Sequence, residues 1–162
     1  MTQVLGIDPG SRTMGYGIVK LVQNQPQFVV CGCLNLGSKS LPDRLVDIFH
    51  CVSDLVKNYQ IDSFGIENVF VSKNTRSALV LGHARGSAIV AARLDSIPIF
   101  EFSPREIKQA ITGTGSATKE QVQYMVKTLL HLEHTPPSDA ADALAVAMTT
   151  ITHMSSPSEL TS

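Results

Sequence analysis

The chain has 162 residues, 43% of them hydrophobic, three cysteines and a formal net charge of −1. That is enough chain for one domain with its own core, and an odd cysteine count argues against a disulfide framework. The longest apolar region, residues 77–94, is broken by Gly82, His83, Arg85, Gly86 and Arg93, and the N-terminus lacks the basic start and apolar centre of a signal peptide; no membrane span and a cytoplasmic location are therefore expected.

Taken in order, residues 4–8, 14–22 and 27–36 read as three strands, with Asp8-Pro9-Gly10-Ser11 and Gln23-Asn24-Gln25-Pro26 as the turns between them. Connections this short imply antiparallel neighbours. Cys31 and Cys33 fall on one face of the third strand, where small apolar packing suffices, and their spacing matches no common zinc pattern. Ser40 caps a helix to about residue 59, in which Leu41, Leu45, Ile48, Val52, Leu55 and Tyr59 recur at spacings of three and four and form a stripe expected to pack on the sheet. Residues 63–67 form a short strand ending in Glu67, and Asn74 caps a long helix to about residue 94. In that helix Ala78, Gly82 and Gly86 recur every four residues. Glycine in a helix interior costs about 1 kcal/mol relative to alanine, so close packing is expected there, against the sheet or against a second subunit.

Residues 97–102 supply a fifth strand. Ser103-Pro104-Arg105-Glu106 is a capping box with proline at the first helical position, and the helix it opens stops before Gly113. Thr118 to Gln121 repeats the pattern, and Val122, Met125, Val126, Leu129 and Leu130 give the next helix its apolar face. Pro136-Pro137 ends that run, and a last helix covers residues 138–153. One domain over 1–154 and a disordered tail over 155–162 are expected. The order predicts an α/β fold: a mixed five-stranded sheet, three antiparallel strands followed by parallel ones that return through helical crossovers, flanked by helices.

Charge is unevenly spread. Residues 70–119 hold seven basic and three acidic side chains, the remainder six basic and eleven acidic. An acidic region beside a basic one suits an enzyme that gathers cations and holds a polyanion; a plain scatter of basic residues over helix surfaces is the alternative. Four acids stand at element boundaries: Asp8 after the first strand, Glu67 after the fourth, and Asp139 and Asp142 in the first turn of the last helix. Asp139 and Asp142, three residues apart, lie about 60° apart around a helix. Each has an ordinary explanation, Asp8 as a turn residue and the helix pair as partners of the helix dipole. Together at one sheet edge they would repel, and a hard divalent cation such as Mg²⁺ would relieve that repulsion, which points to two-metal phosphodiester hydrolysis. The glycines of GIDPGSRTMGYG fit neither the P-loop nor the dinucleotide fingerprint.

LGIDPGSRTMGYG, IENVFVSKNTRSALVLGHARG and SDAADALAVA, in that order, resemble the RuvC family of bacterial crossover junction endodeoxyribonucleases, within the RNase H-like superfamily. The resemblance covers nearly the whole chain, residues 4 to 150. It implies an RNase H-like fold and a homodimer that cuts Holliday junctions symmetrically with Mg²⁺ or Mn²⁺, two ions per site. It also implies four-way junction DNA and the RuvA–RuvB branch-migration complex as partners. The family's acidic ligands match Asp8, Glu67, Asp139 and Asp142; some members carry histidine where this chain has Asp139. Its base-stacking aromatic matches Phe70, for which a buried loop anchor is the structural alternative, and its basic positions match Lys108 and Lys119. Lys73, Asn74 and Arg76 join them as candidate DNA contacts. The actin, Hsp70 and sugar-kinase fold opens on a similar acidic strand-turn, but it needs a second such domain and a second phosphate loop.

Overall fold

A computed structural model describes residues 1–70 and 73–156. Five strands form one sheet: β1 (Thr2–Asp8), β2 (Thr13–Val22), β3 (Gln25–Asn35), β4 (Ser63–Glu67) and β5 (Ile99–Phe102), in the order β3-β2-β1-β4-β5. The β1, β2 and β3 neighbours are antiparallel, and β4 and β5 run parallel to β1. Five helices flank them: α1 (Leu41–Asn58), α2 (Thr75–Leu94), α3 (Pro104–Thr112), α4 (Lys119–Leu129) and α5 (Ser138–Ser155). The sheet and its parallel crossovers agree with the sequence expectation.

Side-chain alternation divides the core in two. Leu5, Ile7, Met14, Ile18, Phe64 and Ile66 point to one face, where α1 supplies Ile48, Val52 and Val56 and α2 supplies Ala84, Ala88, Ala91 and Ala92. The opposite face is different in kind. Gly17, Gly6 and Gly65 stand side by side across β2, β1 and β4, and Gly15 pairs with Asp8. A Cβ on Gly6 would overlap the Ala143 carbonyl oxygen, one on Gly15 the Asp139 carbonyl oxygen, and one on Gly65 the Thr150 hydroxyl. The sheet therefore carries a trough without side chains, and α5 lies in it with its backbone against the strands. Its own sequence is matched to that fit: Ala140, Ala141, Ala143, Ala145 and Ala147 are all buried. α3 and α4 cover its outer side, so α5 is enclosed all round, as its unbroken apolar run from residue 143 to 148 requires.

Several details depart from expectation. The β2–β3 connection is tighter than a four-residue turn, because Gln23 and Asn24 both take positive φ (49° and 61°), and Pro26 lies within β3. Proline is tolerated there because β3 is an edge strand. The glycine ridge of α2 does not pack on the sheet: nothing lies within 4 Å of a Cβ built on Gly82 or Gly86. The alanines on the other side of α2 make the sheet contact instead. Ser155 closes α5 and is not part of a tail, while residues 157–162 lie outside the described residues.

Candidate active site and metal centre

Asp8 ends β1 on the trough side, continuing the Val4, Gly6 alternation. Because Gly15 beside it lacks a side chain, the first turn of α5 settles directly against β2; that turn carries Asp139, while Asp142, expected in the same turn, lies just beyond it as the fifth residue of the helix. Pro137 is the N-cap and no side chain caps the helix, so its free amides leave the first turn a favourable place for carboxylates. Carboxylate oxygens of Asp8, Asp139 and Asp142 lie within 4.8 Å of one another. Glu67 falls outside that mutual reach. It stands on the adjacent parallel strand, where Ile7 pairs with Ile66, so both acids follow directly on one rung of the ladder. Glu67 and Asp142 share the wall of a cavity of about 300 Å³, whose other lining includes Lys108, Lys119 and an apolar floor of Pro104, Ile107, Val122 and Ala145. A neighbouring cavity of about 320 Å³ joins Asp8 and Glu67 to Phe70.

The electrostatics follow from that crowding. Burial, reinforced by Asp142, Asp139 and Glu67, pushes the Asp8 carboxyl up to about 8, against the opposing pull of Lys119. Glu67 is raised by burial and by Asp142, with Lys108 and Lys119 acting the other way. Burial also raises Asp142, which the ammonium of Lys119 opposes. The two form an ion pair at 3.0 Å. Half-buried acids that each offer a carboxylate oxygen to one point are a donor set fitted to a hard divalent cation: oxygen ligands, negative charge and no soft sulfur among the three.

The candidate DNA-binding residues separate into two groups. Lys108 and Lys119 face the carboxylates across the cavity. Thr118 and Gln121 form the expected capping box, placing Lys119 at the first position of α4. Phe70 is 62% exposed, so the buried-anchor alternative is excluded. Lys73, Asn74 and Arg76 are exposed at the start of α2. The Asn74 side-chain oxygen accepts the Ser77 amide at 3.1 Å, capping α2. Two contributors lay outside the sequence reading. One is Cys33, paired with Gly15, which stands on the far side of the α5 turn from Asp8 with its thiol beside the Ala140 amide. The other is Arg85, whose guanidinium bonds the Glu67 carbonyl.

The sequence profile described as crossover junction endodeoxyribonuclease RuvC matches residues 4–153. The chain belongs to the RuvC family. A RuvC crossover junction endodeoxyribonuclease of Enterobacter sp. (strain 638) is 50% identical over 149 residues, covering 92% of this chain and 86% of that protein. One from Shewanella pealeana is 51% identical over 148 residues, covering 91% and 86%. Among solved structures, Thermus thermophilus RuvC in complex with Holliday junction substrate superposes with a TM-score of 0.86 at 30% identity, over 92% of both chains. RuvC nucleases are divalent-metal dependent, and this chain carries an acidic cluster, Asp8, Asp139 and Asp142, that could hold a metal ion.

Proposed function

We propose that this chain is a cytoplasmic, divalent-metal-dependent endonuclease that resolves four-way DNA junctions by paired nicks, acting as a homodimer. One observation carries the chemistry: three aspartates converge within 4.8 Å beside a cavity whose other wall is Lys108 and Lys119. Asp8, Asp139 and Asp142, with Glu67 alongside, would hold Mg²⁺, or Mn²⁺ in its place, two ions per site. Bound there, the cations supply activation of water and neutralisation of charge at the phosphate. The protein does the rest. Lys108 and Lys119 hold the scissile phosphate from the opposite wall, and Phe70 offers its exposed ring to an unpaired base, a stacking contact typically worth about 1–3 kcal/mol. Lys73, Asn74 and Arg76 meet the DNA backbone leading into the site.

The dimer is supported by the outer face of α2. Leu79, Val90 and Leu94 are exposed there, on the same stripe as the open Gly82 and Gly86. An apolar stripe with glycines at its centre fits the same stripe on a second copy about a two-fold axis. A two-fold pair presents two identical sites to a junction, which makes the nicks symmetric. The test is incubation of the purified protein with a synthetic four-way junction with and without Mg²⁺. Paired, symmetry-related nicks that require the metal are expected; nicking of ordinary duplex at an equal rate would refute the proposal.

A further inference from the structure

We infer that Arg85 is a positioning residue of the metal centre: from α2 its guanidinium fixes the end of β4 and so aims Glu67 into the cavity that it shares with Asp142. The inference rests on the reading of Glu67 as a metal ligand. β4 is five residues long, and its pairing with β1 stops at Ile66, one residue short of Glu67. On the other side Glu67 pairs with Phe102, and the Asn68 amide donates to the Phe102 carbonyl at 2.8 Å. Beyond that point the chain leaves the sheet toward Phe70. The last rung is thus held by the sheet on one side only.

Arg85 supplies the other constraint. Its Nε donates to the Glu67 carbonyl at 3.2 Å and its Nη2 to the Asn68 side-chain oxygen at 3.1 Å. The same Nη2 makes a short ion pair with Glu101 on β5. One half-buried fork therefore ties the peptide of Glu67, the residue after it and the next strand into a single unit. The Glu67 carboxylate, which leaves the backbone on the opposite face of the sheet, is consequently set by a group that never touches the cavity: Arg85 is not among the residues lining it. Only a planar guanidinium with several donors spans these three acceptors; an ammonium is a single point on a flexible stem. Arg85 also precedes Gly86 on the helix whose outer stripe is open, so a partner seated on α2 bears on the same helix that holds Glu67 in place.

The experiment compares Arg85→Lys, Glu101→Gln and Glu67→Gln with the unaltered protein. Mn²⁺ binding is measured by calorimetry on the DNA-free protein, junction binding in EDTA, and cleavage against Mg²⁺ concentration. For Arg85→Lys, Mn²⁺ affinity falls roughly tenfold, within the range seen when groups that orient metal ligands are removed. The Mg²⁺ needed for half-maximal cleavage rises in step, and junction binding in EDTA is unchanged. Glu101→Gln shifts both metal readouts the same way by less, and it decides the matter alone if Arg85→Lys does not fold. Unchanged Mn²⁺ affinity in both variants, or a loss matched by equal loss of junction binding, overturns the inference. Glu67→Gln separates the two levels: if it leaves Mn²⁺ affinity intact, the reading of Glu67 as a ligand fails. If it weakens Mn²⁺ while Arg85→Lys does not, only the role of Arg85 falls.

Discussion

The glycines of the sheet and those of α2 look alike in sequence and behave oppositely in the fold. Gly6, Gly15, Gly17 and Gly65 are covered by α5, and a methyl group on any of them would meet its backbone or its packed side chains. Gly82 and Gly86 face open space. Missing side chains mark a close approach in both places, but in the sheet the approaching backbone belongs to the same chain. There it delivers Asp139 and Asp142 to Asp8. On α2 the proposed second copy would make that approach.

The comparison breaks most severely at Gly15. Gly15→Val places a branched side chain against the Asp139 carbonyl, forcing the first turn of α5 off the sheet. Overpacking of this kind costs on the order of 3 kcal/mol, and cleavage should be lost. In a thermal melt that loss of stability corresponds to a fall of roughly 6–12 °C. A Gly15→Val protein that cuts junctions at the normal rate would show that the close fit does not place the aspartates. Gly86→Arg tests the other glycine set. A Cβ at Gly86 meets nothing within 4 Å among the described residues, so the monomer should keep its melting temperature while sedimentation shows the proposed dimer dissociated and paired nicking disappears. A collapse of the fold would mean that α2 packs within the chain after all.

A smaller effect sharpens the comparison by measuring what the trough costs. Asp8, held among carboxylates, has its pKa raised from the ordinary 3.8 to about 8. Between those values the folded protein keeps a proton that the unfolded chain releases. The stability that Asp8 contributes to the metal-free protein is therefore fully present below about pH 4 and is lost as pH rises toward 8. Burial raises Glu67 and Asp142 in the same sense. In EDTA, the melting temperature should fall more steeply from pH 5.5 to 8 in the wild type than in Asp8→Asn, and Mg²⁺ should flatten the wild-type curve. Parallel curves for the two proteins would contradict the raised Asp8.

Much of this was legible before any coordinates. The apolar run of residues 4–7, the short strand over 63–67, and the capping boxes at Ser103 and Thr118 marked strands and helices that the fold contains, and acids were already visible at element ends. Three things were not, and each depends on packing between distant segments. Gly15 and Gly17 had no assignable partner because the helix that lies against them comes more than 120 residues later. Lys119 reads as a phosphate contact, yet without DNA it pairs with Asp142, the nearest counter-charge in a crowded acidic site. Arg85 reads as one basic residue among seven in its region, and only the fold shows it reaching the back of Glu67.

In the proposed mechanism Asp8 serves the metal and not the DNA. The direct measurement is single-turnover cleavage of a synthetic four-way junction in Mg²⁺ by wild type and Asp8→Asn, with junction binding followed in parallel in EDTA. The variant should bind the junction as the wild type does and leave it uncut; cleavage by Asp8→Asn in Mg²⁺ would contradict the account.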